Sequence, residues 1–226
     1  MKSFAKIFYS LILGASLFTL ISCGKANKMT LIGHASVKFV AKDGTVLYID
    51  PAYDKYDYSD PADYILVTHG HEDHKPSRKL KLKEGGKKID NFTALVKGEY
   101  KTFDLGPFHV EAVPAGGNDG HDVRYCVGYL VTVDGVTVYH AGDTSMIEQM
   151  KNLQSRHIDY AMYPIDGIFN MDAVEATEVA NLVGAKKNIP IHKYNIEGQP
   201  KKEDKFTPEG RYLLEYGQTI TLKPQR

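Results

Sequence analysis

The order of elements in this sequence predicts an α+β domain in which two β-rich halves pack face to face with helices outside. Three observations carry that expectation. Strand-type runs come first, then alternate with helical ones, and the pattern recurs without a fixed-period repeat. Asp43-Gly44 and Asp134-Gly135 each separate two apolar, β-branched runs, a strong hairpin signal. Asp172 and Gly184 bracket an apolar stretch as N-cap and C-terminal stop of a helix.

The domain opens with three strand-like runs, Met29 to Ile32, Ser36 to Ala41 and Thr45 to Asp50, the last two joined by Asp43-Gly44. A Tyr/Asp-rich loop, Ala52 to Asp63, leads to the buried-strand pattern Tyr64-Ile65-Leu66-Val67. Lys75 to Lys88 reads as a short helix ending at Gly85-Gly86; its charges suit a solvated face or the guidance of an anionic substrate. Strands are expected at Thr93 to Lys97, Tyr100 to Asp104 and Phe108 to Val113, before a glycine-rich loop from Pro114 to Asp122. Arg124 to Val133 and Val136 to His140 form the second hairpin. Ser145 to Leu153 reads as a helix with Asp143 or Thr144 near its start, and Ile158 to Ile165 as a strand. After the helix Asp172 to Val183, Asn188 to His192 is a short strand, Arg211 to Glu215 is helical, and Thr219 to Lys223 is a last strand.

Ahead of this lies a segment that is not fold. Lys2 and Lys6 precede a nearly continuous apolar run from Ile7 to Ile21, followed by Ser22-Cys23. It resembles a bacterial lipoprotein signal, with residues 1–22 removed and Cys23 lipidated. The run falls short of the ~20 residues that span a bilayer comfortably, so an uncleaved anchor is the alternative. Residues 23–28 would then be a polar tether, and 29–226 a single domain of about two hundred residues on an extracytoplasmic membrane face. The chain has 28 basic and 28 acidic residues, which gives no reason to expect nucleic acid as a partner. Of its 2 cysteines, lipidation of Cys23 leaves Cys126 alone, and its strand-like surroundings suit a buried structural thiol.

The chemistry is concentrated in Thr68-His69-Gly70-His71-Glu72-Asp73-His74, straight after a strand. Imidazoles and a carboxylate crowded at this spacing share a cation. Three later segments also place an acid or imidazole at a strand's end or among turn formers. They are Asp143 in Ala141-Gly142-Asp143-Thr144, His192 after Ile189-Pro190-Ile191, and His121 in the glycine-rich loop.

Together with Leu47 to Pro51 and Phe169 to Ala173, these stretches resemble, in order, the metallo-β-lactamase superfamily. The small metal-dependent hydrolases akin to ascorbate-6-phosphate lactonase are the nearest branch. The resemblance implies a four-layer αββα sandwich with its metals at the sheet edges. It implies two divalent cations. His69, His71 and a loop histidine would hold one, Asp73, His74 and His192 the other, and Asp143 would bridge them. His121 is the loop histidine chosen, with His109, inside a strand, as competitor. Asp73 has a second possible role, orienting the nucleophile or accepting its proton. Asp50 would either hold a ligand histidine or simply form the turn before Pro51. His34 and His140 lie close in sequence to site segments, and Lys193 suits an anionic substrate or the surface. Zinc is favoured by the imidazole-rich shell, with manganese or iron open. The implied activity is hydrolysis of a small-molecule lactone, other ester or phosphodiester, and a bridging Asp143 points away from β-lactams. A non-catalytic or mononuclear metal-binding lipoprotein is the alternative from another class, and a nuclease the third. Oligomeric state is open.

Overall fold

A computed structural model describes residues 26–195 and 201–225. The lipoprotein-like segment 1–22 and Cys23 lie outside the described residues. Five strands come first: β1 (Lys28–Gly33), β2 (Ser36–Val40), β3 (Val46–Ile49), β4 (Ala62–Leu66) and β5 (Leu82–Ile89). The short helix α1 (Asn91–Ala94) and the hairpin β6 (Leu95–Val96) and β7 (Glu99–Tyr100) follow. Next come β8 (Thr102–Leu105), β9 (Phe108–Pro114), β10 (Val127–Val133), β11 (Val136–His140) and a 3₁₀ helix, Glu148–Arg156. The chain continues through β12 (Tyr160–Pro164), α2 (Ala173–Val183), β13 (Lys187–Ile191), a second 3₁₀ turn, Lys202–Lys205, and β14 (Gln218–Thr221).

Two six-stranded sheets result, ordered β14-β1-β2-β3-β4-β5 and β13-β12-β11-β10-β9-β8. Their inner faces share one core. Leu31, Val37, Phe39, Leu47 and Ile49 of the first sheet meet Phe108, Val110, Tyr129, Val131 and Ile189 of the second. The rings of Phe39 and Phe108 meet edge to face at 6.3 Å across that interface. Alternation along β10 shows why the sandwich is layered: Tyr129, Val131 and Val133 point inward, whereas Leu130 points out toward α2. Each such buried side chain contributes roughly 1.5–3 kcal/mol. The helix α2 lays Ala176, Val179, Ala180 and Val183, spaced at the helical period, on Leu130, Tyr139 and Tyr163. Asp172 caps it by accepting the Val174 and Glu175 amides, and Gly184 ends it at φ 72°. The outer face of the first sheet, with Tyr48, Ile65 and Val67, is covered by Tyr56, Tyr58 and Leu80 from connecting chain.

Four expectations are corrected. Lys75 to Lys88 contains no helix; Leu82–Ile89 pairs with β4 as an edge strand. Lysines on an edge are a common guard against pairing with another chain, so this charge run marks a boundary of the sheet. The expected helix at Ser145 to Leu153 is a 3₁₀ helix beginning at Glu148, with no side-chain cap on Ile147. Asp143 cannot cap because it turns into the site, and Thr144 is spent on Gly116, donating its hydroxyl to the Gly116 carbonyl. Thr93 to Lys97 divides between α1, capped by Asp90, and the two-residue β6. Arg211 to Glu215 is irregular rather than helical, with Arg211 in an isolated bridge to Asn188 and the Tyr212 amide donating to the Asn188 carbonyl, which draws this stretch against β13.

The topology places the site. β3 with β4, β11 with β12, and β12 with β13 are parallel pairs. Their C-terminal ends therefore open on one edge, and rigid strands deliver loop residues there.

Candidate metal centre

The loop after β4 is anchored to both sheets. The Tyr129 hydroxyl donates to the Val67 carbonyl at 3.0 Å, and the Val127 amide to the Thr68 carbonyl at 3.0 Å. Within it, the His71 carbonyl accepts the amides of His74 and Lys75. That turn brings the His69 ring centroid within 4.1 Å of His74 and 4.6 Å of His71. Asp50, fully buried at the end of β3, fixes the rest. Its Oδ1 accepts the Thr68 amide at 2.8 Å, and its Oδ2 accepts the Thr68 hydroxyl at 2.7 Å. His74 Nδ1 sits 2.8 Å from the same Oδ2. An ionised carboxylate only accepts, so Nδ1 carries a proton and Nε2 is the nitrogen left to face the centre. Asp50 is thus more than a turn former.

Asp143 lies at that centre. Its Oδ1 is 3.2 Å from His74 Nε2, and its Oδ2 is 3.3 Å from both His121 Nε2 and His192 Nε2. Asn170 donates to Oδ2 at 2.9 Å and to Asp166 at 2.8 Å. The approach to Asp143 requires glycine at 142. Its φ is 65°, and a Cβ there would stand 2.9 Å from the Val127 carbonyl oxygen. Gly116 does the same for the loop that presents His121, where a Cβ would stand 2.5 Å from the His121 carbonyl oxygen.

The structure thus gathers His69, His71, Asp73, His74, His121, Asp143 and His192 in overlapping groups whose ligand atoms lie within 4.8 Å of one another. His121 is buried and held through Nδ1 by Asn118 Oδ1 at 3.0 Å. His192 Nδ1 stands 2.9 Å from Asp166 Oδ2, within ion-pair distance though off the line of a straight hydrogen bond. His34 joins the group with its Nε2 3.2 Å from Asp73 Oδ2. His109 does not: it is exposed on β9 and pairs with Asp104 at 2.7 Å. His140 is buried but ties backbone, with Nε2 on the Ala35 carbonyl and Nδ1 accepting the Gly142 amide. Lys193 is buried rather than on the surface; its ammonium donates to the Leu214 carbonyl at 3.3 Å and lies 3.5 Å from Glu203, and the residue lines a neighbouring cleft with His34, Tyr53 and Tyr194. Cys126 is a buried thiol pushed up to about 12 by burial. Asp166, Asn118 and Thr68 were given no role from sequence, and Asn170 entered only within the Phe169-to-Ala173 resemblance. Asp166 carried a further usable signal, an acid directly after a strand-like run, as at Asp50 and Asp143.

The donor set fits a cation. His69 Nε2, His74 Nε2, His121 Nε2, His192 Nε2 and Asp143 Oδ1 are buried without a hydrogen-bond partner, and converge. Such atoms are costly unless something else satisfies them. The charge balance agrees. Burial and repulsion from His74 drop His69 to about 3, so its imidazole is neutral. Burial opposes charge on His74, but Asp143 and Asp50 outweigh it and raise the group to about 10. Burial is likewise outweighed at His192, where Asp143, Asp166 and Asp73 raise it to about 12. Protons thus stand where a cation would bind. Over these groups lies a cleft of about 370 Å³ lined by Tyr53, His71, Asp73, His121, Phe169 and Tyr194. A larger cleft of about 640 Å³, by Asn181, Lys186 and Glu209, contains no histidine in its lining and is remote from this chemistry.

Residues 28–192 match the family model described as the beta-lactamase superfamily domain. A relative from Pyrococcus furiosus named UPF0173 metal-dependent hydrolase is 32% identical over 226 residues, covering 86% of this chain and 99% of the relative. The chain belongs to this family of the metallo-β-lactamase superfamily. A solved structure from Parabacteroides distasonis has a TM-score of 0.69 at 29% identity, covering 83% of this chain and 91% of that one. A metallo hydrolase from Ignicoccus hospitalis also gives 0.69, at 22% identity, over 88% of this chain and 99% of its own, and supports the fold. The α+β two-sheet sandwich expected from sequence is thus the observed one, with a helical layer on the second sheet and connecting chain over the first, and the chain is a metal-dependent hydrolase of this superfamily.

Proposed function

We propose that the chain hydrolyses a small molecule at a carbonyl centre, as in a lactone or ester, or at a phosphoryl centre, with two divalent cations. His69, His71 and His121 would hold the first, Asp73, His74 and His192 the second, with Asp143 between them. The observation that carries this reading is Asp143 itself, within 3.3 Å of imidazole Nε2 atoms from both subsites. Two bound cations would lower the pKa of a water shared between them and polarise the group under attack.

The chain's own residues supply the rest. Asp50 and Asn118 set the ring orientation of His74 and His121, and Asp166 stands against His192. Asp73 is the half-buried carboxylate of the group and lines the cleft, so it is placed to orient the attacking water or accept its proton. Tyr53, Phe169 and Tyr194 give the cleft an aromatic wall that suits an organic acyl or leaving group. The imidazole-rich shell favours zinc; the carboxylates leave room for manganese or iron. Attachment through Cys23 to an extracytoplasmic membrane face belongs to the same proposal and rests on the Lys2-to-Cys23 pattern. The test is a panel of lactones, other esters and phosphodiesters assayed with wild type and His71→Ala. Turnover lost in the variant supports the reading. A metal-loaded wild type with no turnover on any of them overturns it in favour of a non-catalytic metal-binding protein.

A further inference from the structure

We propose that His34 is a positioning residue for the second cation subsite, holding Asp73 and His192 in place. This rests on the two-cation reading above. His34 stands in the turn between β1 and β2, 39 residues before Asp73, and is 6% exposed. Its φ is 54°, a left-handed backbone that glycine or asparagine would adopt more cheaply. Three contacts account for a histidine at that place. Its Nε2 faces Asp73 Oδ2 at 3.2 Å, and because the carboxylate only accepts, Nε2–H donates. Its carbonyl accepts the His192 amide at 3.0 Å, tying the β1–β2 turn of one sheet to the end of β13 in the other. Its ring lies 3.8 Å, centroid to centroid, from the ring of His192.

The other buried groups show the need. His74 is held by Asp50, His121 by Asn118, Asp143 by Asn170, and Asp166 stands by His192. Asp73 sits in an exposed turn, and among the described residues His34 is the one side chain that makes a well-formed hydrogen bond to it. Its other neighbours, His192 Nε2 at 3.5 Å and His74 Nε2 at 4.0 Å, themselves face the centre. Partners of this kind typically govern metal affinity by 10–100-fold.

The experiment titrates the full chain, wild type and variants, with Zn²⁺ against a chromophoric chelator. His34→Phe keeps a ring against His192 and loses the donor. His34→Gln keeps a donor that reaches Asp73 and gives up the imidazole. The expected result is two cations in wild type, the weaker lost about tenfold or more in His34→Phe, and both within about threefold of wild type in His34→Gln. Unchanged binding in His34→Phe overturns the proposal. Equal loss in both variants also overturns it, because His34 would then be a ligand in its own right. A wild type that takes up one cation or none overturns the two-cation reading, and this inference with it. Melting of the metal-free variants checks the fold. Should phenylalanine unfold the chain, His34→Asn, too short to reach Asp73 but suited to the left-handed backbone, carries the same expectation.

Discussion

Asp50→Asn separates holding a ligand from being one, because the change removes almost no volume. The native carboxylate accepts three hydrogen bonds while fully buried: the Thr68 amide, the Thr68 hydroxyl and His74 Nδ1. Asparagine can still accept the Thr68 amide through its oxygen. Its NH₂ then replaces Oδ2 and faces both the Thr68 hydroxyl, which can rotate to accept, and His74 Nδ1, which cannot stay protonated against another donor. The His74 proton moves to Nε2, which donates to Asp143 and no longer offers a lone pair to a cation. Returning the proton to Nδ1 leaves a buried donor unpaired, at a cost of about 1–3 kcal/mol. At 1.4 kcal/mol per tenfold, the subsite containing His74 should bind its cation roughly fivefold to hundredfold more weakly. The subsite of His69, His71 and His121 should be nearly unaffected. Competition titration with a chelator reads both affinities. If Asp50→Asn, folded by its melting curve, binds both cations within about twofold of wild type, the tautomer argument is wrong.

Three further outcomes follow from the same geometry. Gly142→Ala places a Cβ against the Val127 carbonyl at a φ of 65°, so it should lower stability by about 1–3 kcal/mol in thermal unfolding and displace Asp143. Cation uptake should release protons, because the carboxylates around them raise His74 to about 10 and His192 to about 12; affinity should fall as pH is lowered, readable in a weakly buffered titration. The sign for the metal-free chain is opposite: the His74 proton adds stability that is full below the ordinary value of 6.5 and lost as pH rises through about 10. His109→Ala should leave metal content and activity unchanged and shift stability by no more than about 0.5 kcal/mol, since this histidine is exposed and pairs only with neighbours on β8 and β9; loss of a cation in that variant would reinstate it as the loop ligand.

The parts of the site that could be read from sequence are those encoded locally. His69 to His74 follow a buried strand within one short loop, and Asp143 and His192 sit where a strand's apolar run stops. His121 was reachable because Gly116 and Gly117 mark a turn that folds the loop back, at φ values of 100° and 92°. The hairpins at Asp43-Gly44 and Asp134-Gly135 and the capped α2 were legible for the same reason. What sequence could not supply is pairing across the fold. His34 lies 39 residues from Asp73, and Asn170 lies 27 from Asp143, so neither contact has a local signature. The Lys75-to-Lys88 stretch fails differently: local charge pattern suggests a solvated helix, but hydrogen bonding to β4 decides the outcome. The helix expected after Asp143 fails because a residue suited to capping serves the centre instead.

The central claim is that Asp143 stands between two cation subsites, and metal analysis of the purified full chain tests it most directly. Two tightly held divalent cations per chain, with stoichiometry falling in Asp143→Ala while the metal-free fold persists, is the predicted result. One cation or none in the fully loaded wild type, or two retained without Asp143, would contradict it.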